Sequence, residues 1–273
     1  MVRSIRKLLL IIIVPLMVMP SIVAQTFFVQ VKTNFGNMKV MLYDDTPVHR
    51  DEFLRLVNEK HFDGTLFYRS VKNFVIQGGS SDSRNAPAGK HIGYGEEAVN
   101  IDSEFSKQRF HKKGAVCAPR QPEKINHFKS SDISQFYIVK GRVYTGEELD
   151  NLERIHNNPI KKEIKDTYFT PFKAELDKFK SENPEQYNKR VLEIRENMAL
   201  QYQLSDKLEF STSQRQIYTT LGGTPDLDNE YTVFGEVVEG MAVLDKIASI
   251  PVDANDRPVN DVTMSIVILQ VAK

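Results

Sequence analysis

The sequence changes period twice. From Phe27 onward, short runs alternate apolar and polar residues, as half-buried strands do. From about Gly141 to Tyr218 the apolar residues recur at helical spacing, in a stretch rich in Lys, Glu, Asp, Asn and Gln, and beyond it the alternation returns. A period of two places successive side chains on opposite faces, whereas a helix gathers i, i+3 and i+4 on one. Neither segment can adopt the other's structure without exposing its apolar face. The chain therefore reads as a β body interrupted by a charged helical insertion at about residues 142–217.

Within the body, Phe27 to Thr33 and Asn37 to Tyr43 flank NFGN and predict a hairpin. Thr46 reads as an N-cap with Pro47 in the first helical position, and Phe53, Leu56 and Val57 follow at helical spacing. Strands are expected at Leu66 to Val71, at Phe74 to Gln77, and in AVCA, QFYIVK, YTVFGEVV and MSIVILQVA; EGMAVLDKIAS, Glu239 to Ser249, predicts a second helix. Many short strands with two helices point to a closed antiparallel barrel capped by those helices. In the insertion, Thr145 and Glu148 have the spacing of a capping box. Val191, Ile194, Met198 and Tyr202 form the apolar side of an amphipathic helix.

Composition removes several functional classes. The 273 residues carry 36 basic and 36 acidic side chains, so no net field favours nucleic acid or an anionic membrane. Cys117 is the single cysteine, which forbids an intramolecular disulfide and a site of paired thiolates. Within GAVCAP it reads as a small core residue. The six histidines lack the close spacing of a zinc site, so neither metal nor cofactor is expected. The basic start MVRSIRK, the apolar run LLLIIIVPLMVM and the small residue Ala24 read as a secretory signal over residues 1–24. Export is expected, to the periplasm if the cell is Gram-negative, with an uncleaved membrane anchor as the alternative.

The stretch FYRSVKNFVIQGG, Phe67 to Gly79, sets Arg69 and Gln77 among apolar and aromatic residues. Read in isolation, these are the wet face of half-buried strands. Their surroundings resemble something more specific. The stretch is similar to the signature of the cyclophilin family of peptidyl-prolyl isomerases: Phe, a variable residue, Arg, four residues, Phe, an aliphatic residue, any residue, Gln-Gly-Gly. GYGEE, NIDSEF, HKKGAVCAPR, SDISQFYIV and LDNEYTVFGEVVEGMAVLDKI follow in family order.

That resemblance implies an eight-stranded antiparallel barrel with two capping helices. It implies Arg69 as the catalytic arginine, assisted by Gln77, and a proline slot formed by Phe74, Val75, Tyr137 and Leu227. Gln135 falls beside the slot, Pro119 and Arg120 at a position that meets the substrate main chain, and Tyr231 on the wall. Pro119 departs from the family by lacking an N–H, and Asp226 and Tyr231 replace the tryptophan and histidine of many members. The implied substrates are unfolded or partly folded proline-containing polypeptides, handled by a monomer. The alternative is a module that binds or holds proline segments with little catalysis, for which Arg69 would have no evident use.

Overall fold

A computed structural model describes residues 26–95 and 98–269; the expected secretory signal lies outside the described residues. β1 (Phe27–Thr33) and β2 (Gly36–Leu42) form the predicted hairpin, with Thr33 Oγ1 donating to the Gly36 carbonyl at 2.7 Å. α1 (Pro47–Asn58) follows with proline in its first turn.

Its cap is not the expected one. The Thr46 side chain makes no bond to the helix; the free N–H groups of Val48 and His49 donate instead to Glu104, at 3.1 and 2.9 Å. A carboxylate at a helix N-terminus satisfies these donors and meets the positive end of the helix dipole, and this one arrives from a loop far along the chain.

The remaining body strands are β3 (Arg69–Ser70), β4 (Val75–Gly78), β5 (Asn100–Ile101), β6 (Ala115–Cys117), β7 (Ser131–Asp132) and β8 (Phe136–Val139). Beyond the insertion come β9 (Val233–Glu239), α6 (Met241–Ile247) and β10 (Met264–Leu269). Glu239, expected to open the second helix, ends β9. Gly240 intervenes at φ +89°, where a Cβ would overlap the carbonyl of Asn37.

Eight strands pair antiparallel in the order β10-β1-β2-β9-β6-β8-β4-β3, and β5 pairs with β7 in a separate ribbon. The expectation of a closed barrel is corrected here. The ladder is a curled sheet with ends at β10 and β3, which are joined only by the isolated bridge Leu66–Thr263 and neighbouring backbone bonds such as Phe67 N–H to the Val262 carbonyl at 2.9 Å. β3 is too short to form a ladder with β10 around the seam.

Inside the curl, Met38, Val40, Ile76, Val116, Phe136, Ile138 and Phe234 pack with Phe53, Leu56 and Val57 of α1 and Leu244 and Ile247 of α6. The alternate residues of the same strands, Val75, Ala115, Cys117, Tyr137, Val139 and Val233, form a second cluster on the outer face. β6 and β8 are thus covered on both faces, which is why AVC and FYIV read as apolar runs rather than alternations.

The insertion forms α2 (Gly146–Tyr168), α3 (Lys173–Glu182), α4 (Pro184–Leu204) and α5 (Thr212–Thr220). α2 opens with the expected capping box, Glu148 N–H to Thr145 Oγ1 at 3.1 Å and Thr145 N–H to Glu148 Oε2 at 2.8 Å. Of the expected stripe on α4 only Ile194 is fully buried, with Val191, Met198 and Tyr202 half-buried. A separate small core of Tyr144, Leu149, Phe210 and Tyr218 joins α2 and α5 to Phe110 of the body. Among the described residues no helix is long and apolar enough to cross a membrane.

Candidate active site

Strand register builds the site. Arg69 on β3 lies opposite Gln77 on β4, Gln77 opposite Tyr137 on β8, and Tyr137 opposite Cys117 on β6. Directly opposed residues in antiparallel strands share a face, so these four side chains make one row across the outer surface of the curled sheet.

Above this row is a cleft of about 150 Å³ lined by Arg69, Phe74, Val75, Gln77, Pro119, Arg120, Tyr137, Leu227 and Tyr231. A volume near 150 Å³ accepts a ring the size of benzene, so a pyrrolidine ring fits. Of two larger clefts, one of about 390 Å³ lies on the first turns of α2 and one of about 540 Å³ lies between the insertion and the body; both are lined mainly by polar side chains and neither contains Arg69.

Every residue expected at the site lines this cleft except Gln135. Its side chain is buried one step to the side, its Nε2 donating to Asp132 Oδ2 at 2.9 Å and its Oε1 accepting from the Tyr68 hydroxyl at 2.6 Å. Gln135 precedes β8 by one residue, so it leaves the row that Tyr137 occupies. Tyr68 is the link that sequence reading missed: Gln77 Nε2 donates to the Tyr68 oxygen at 2.7 Å, which completes the chain Gln77–Tyr68–Gln135–Asp132. Burial pushes the Tyr68 phenol above its ordinary range, so it remains a neutral donor.

Arg69 is half-buried at the mouth, its Nε 3.5 Å from Asp256 Oδ2. Arg120, expected to meet the substrate main chain, lines the cleft with its guanidinium already engaged. Its Nε donates to the Glu230 carbonyl at 2.8 Å, its Nη2 pairs with Glu230 Oε2 at 2.7 Å, and its plane lies over Tyr231 at 5.0 Å. Pro119 lacks a donor, and its carbonyl is occupied by the Asp132 N–H at 2.8 Å.

The floor is Tyr137, packed edge-on against Tyr231 with centroids 5.9 Å apart. Its hydroxyl meets His111 Nε2 at 3.0 Å beneath the sheet surface. Burial holds the Tyr137 phenol and the Cys117 thiol well above their usual values, so both stay uncharged. Among the described residues no group of three or more His, Cys, Asp or Glu side chains gathers as a bound metal would require.

The profile of the cyclophilin type peptidyl-prolyl cis-trans isomerase/CLD family matches residues 28–169 and 157–268. The chain belongs to this family. The residues lining the Arg69 cleft all fall within the matched segments, and the two segments meet inside the helical insertion. Relatives carry the same description. A putative peptidyl-prolyl cis-trans isomerase of Staphylococcus haemolyticus is 26% identical over 240 residues, 86% of this chain and 87% of the relative. A putative bifunctional phosphatase/peptidyl-prolyl cis-trans isomerase of Streptococcus pyogenes is 28% identical over 237 residues; the match spans 86% of this chain but only 37% of that longer protein. Among solved structures, a Cryptosporidium parvum cyclophilin type isomerase shares the fold at a TM-score of 0.52 and 17% identity, covering 91% of this chain and all of that one. A second crystal structure of that protein, in the presence of the dipeptide Ala-Pro, gives a TM-score of 0.50.

Proposed function

We propose that this cyclophilin isomerises X-Pro bonds in exported, incompletely folded polypeptides, that Arg69 supplies the decisive hydrogen bond, and that the protein thereby assists their folding as a monomer. The observation that carries this reading is the register row that sets Arg69 and Gln77 beside an apolar cleft of proline-ring size. The Ala-Pro dipeptide present with the Cryptosporidium protein is in keeping with a proline ligand here.

Rotation about a peptide bond faces about 18–20 kcal/mol because resonance gives the C–N bond double-bond character. At the twisted transition state that resonance is lost and the proline nitrogen regains its lone pair. A donor aimed at that nitrogen binds the transition state better than either planar isomer, and only such a difference accelerates a reaction. An arginine offers several fixed donors and keeps its proton. Phe74, Val75, Tyr137 and Leu227 hold the ring, and Gln77, steadied by Tyr68, either accepts from Arg69 or binds the substrate backbone. A hundred-thousand-fold acceleration needs about 7 kcal/mol, while one hydrogen bond to a charged group contributes roughly 1.5–3. Orientation and exclusion of water in the cleft must therefore supply the larger share.

The export part of this reading is supported by the basic start, apolar run and Ala24 of the first 24 residues. Intact-mass measurement on native material checks it: a mature chain starting near Gln25 is expected, and a full-length chain in the membrane fraction would point to an anchor instead. The catalytic part is tested by following isomerisation of a proline tetrapeptide. Wild type should accelerate it, Arg69→Ala should lose most of the rate with the fold intact, and Arg69→Lys should be poor because one ammonium cannot copy the planar fork. Near-normal rates in Arg69→Ala would overturn the assignment.

A further inference from the structure

The floor of the cleft is wired to the insertion. Tyr218 lies on α5, fully buried, and its hydroxyl donates to Asp228 Oδ2 at 2.6 Å. The other oxygen of that carboxylate accepts twice from His111, from its main-chain N–H at 2.8 Å and at Nδ1 at 2.9 Å. His111 Nε2 then meets the Tyr137 hydroxyl at 3.0 Å, and the His111 and Tyr137 rings stack within 15° of parallel. The side chains of His111 and Asp228 are 1% and 4% exposed, so water does not compete for these bonds.

For a neutral His111 ring, one arrangement of protons satisfies every bond of this chain. A carboxylate beside Nδ1 calls for a donor there, so in the neutral ring the His111 hydrogen sits on Nδ1 and Nε2 carries a lone pair. The Tyr137 hydroxyl then satisfies Nε2 by donating to it, nitrogen being a better acceptor than the neighbouring Cys117 sulfur. Its proton is thereby drawn below the sheet surface and away from the cleft, which leaves an aromatic floor with no donor turned toward an apolar ring. A buried donor facing hydrocarbon would cost free energy that a satisfied one does not.

We propose that Tyr218 is a positioning residue of the active site: by holding Asp228 it fixes the His111 tautomer and the direction of the Tyr137 hydroxyl, so the insertion is part of the catalytic apparatus. This rests on the proline-slot reading above. The stems of the insertion hold the relay rigidly. Tyr144 N–H donates to the Tyr218 carbonyl at 3.0 Å, Thr224 N–H donates to the His111 carbonyl at 2.8 Å, and Gly223 bridges to both Lys112 and Arg142. The Tyr218 ring is itself gripped edge-on by Phe110, Tyr144 and Phe210 at 5.5–6.3 Å.

The test is a double-mutant cycle with a spectroscopic arm. Tyr218→Phe keeps the three ring contacts and removes only the hydroxyl, so the full-length protein should still fold. Its kcat/KM on a proline tetrapeptide should fall at least fivefold. In a Tyr137→Phe background the same change should have almost no further effect, because the hydroxyl on which it acts is gone. An unchanged rate in Tyr218→Phe, or an equal loss in both backgrounds, would overturn the proposal, since a purely structural role does not need the Tyr137 hydroxyl. Independently, 15N-histidine labelling of wild type, with His111→Gln assigning the signals, should show the Nδ1–H tautomer at His111 and mixed tautomers in Tyr218→Phe. An Nε2–H form in wild type sinks the relay. If wild type failed to isomerise the peptide at all, the slot reading would fall, while the labelling result would still decide the relay.

Discussion

Arg69 and Asp256 face each other across the seam of the curled sheet, Nε to Oδ2 at 3.5 Å, and the main chain repeats the tie, Ser70 N–H donating to the Asp256 carbonyl at 2.8 Å. Asp256 sits at φ +60°, a left-handed conformation that aspartate tolerates better than most residues. The acid meets the Nε edge of the guanidinium, on the side that the loop before β10 approaches. Both side chains are more than a third exposed, so the pair is worth less than about 1 kcal/mol of stability. Under the proposed mechanism, its effect on catalysis comes from narrowing the orientations of Arg69.

Asp256→Asn, which removes the charge and keeps a residue that tolerates the left-handed conformation, should therefore leave the thermal midpoint nearly unchanged and lower kcat/KM, by about threefold to fivefold if the tie is worth close to 1 kcal/mol in the transition state. High salt should shrink the difference, since exposed charges are screened. Equal rates for wild type and variant at low salt would show that Arg69 holds its orientation without the acid.

Tyr68 holds Gln77 and Gln135 together through a single hydroxyl. Tyr68→Phe keeps the ring and leaves a glutamine nitrogen and a buried glutamine oxygen without their partner, which should cost about 1–3 kcal/mol in urea unfolding. Activity should fall with it because Gln77 loses its anchor. A variant as stable and as active as wild type would mean that water replaces the hydroxyl without loss.

The Arg69 row was legible because register does what the motif implies: residues at fixed offsets on paired short strands end on one face. Gln135 misled because it sits one residue outside β8, where alternation no longer assigns a face. Tyr68 escaped for the same reason, one residue before β3. The relay could not be read from sequence. Tyr218 and Asp228 bracket the end of the insertion, and His111 lies more than a hundred positions from Asp228, so no local pattern connects them. Glu104 as the cap of α1 is a second long-range partner of this kind. The closed barrel was over-read because alternation identifies which side of a strand is buried but not which strands are neighbours at the seam.

Gly223 lies where the two stems of the insertion and the His111–Lys112 segment converge. A Cβ there would overlap the His111 carbonyl oxygen and lie 2.6 Å from Cε1 of Tyr218 and 2.9 Å from Cα of Lys112. Two of these neighbours are backbone and cannot swing aside. Gly223→Ala should lose about 3 kcal/mol, the upper part of the overpacking range, and should depress activity because the His111 backbone shifts beneath Tyr137. A urea midpoint within error of wild type would mean that the stems are looser than this packing describes.

His49 couples the cap of α1 to pH. Its ring is fully buried, and burial holds its pKa below the ordinary histidine value even though Glu104 Oε2, 2.7 Å from Nδ1, pulls the other way. The unfolded chain takes up this proton near pH 6.5, and the folded protein only at lower pH. Between those two values the unfolded state binds more protons, so stability is complete above about pH 6.5 and declines as pH falls toward the folded-state value. One such group can account for at most about 1.4 kcal/mol per pH unit in that window. His49→Leu removes the titrating ring while the Val48 and residue 49 N–H groups still donate to Glu104, so the cap persists. Urea unfolding at pH 7.5, 6.5 and 5.5 should show a shallower pH slope for the variant than for wild type, whatever the offset between the two curves. Parallel slopes would show that His49 takes up its proton with equal ease in both states.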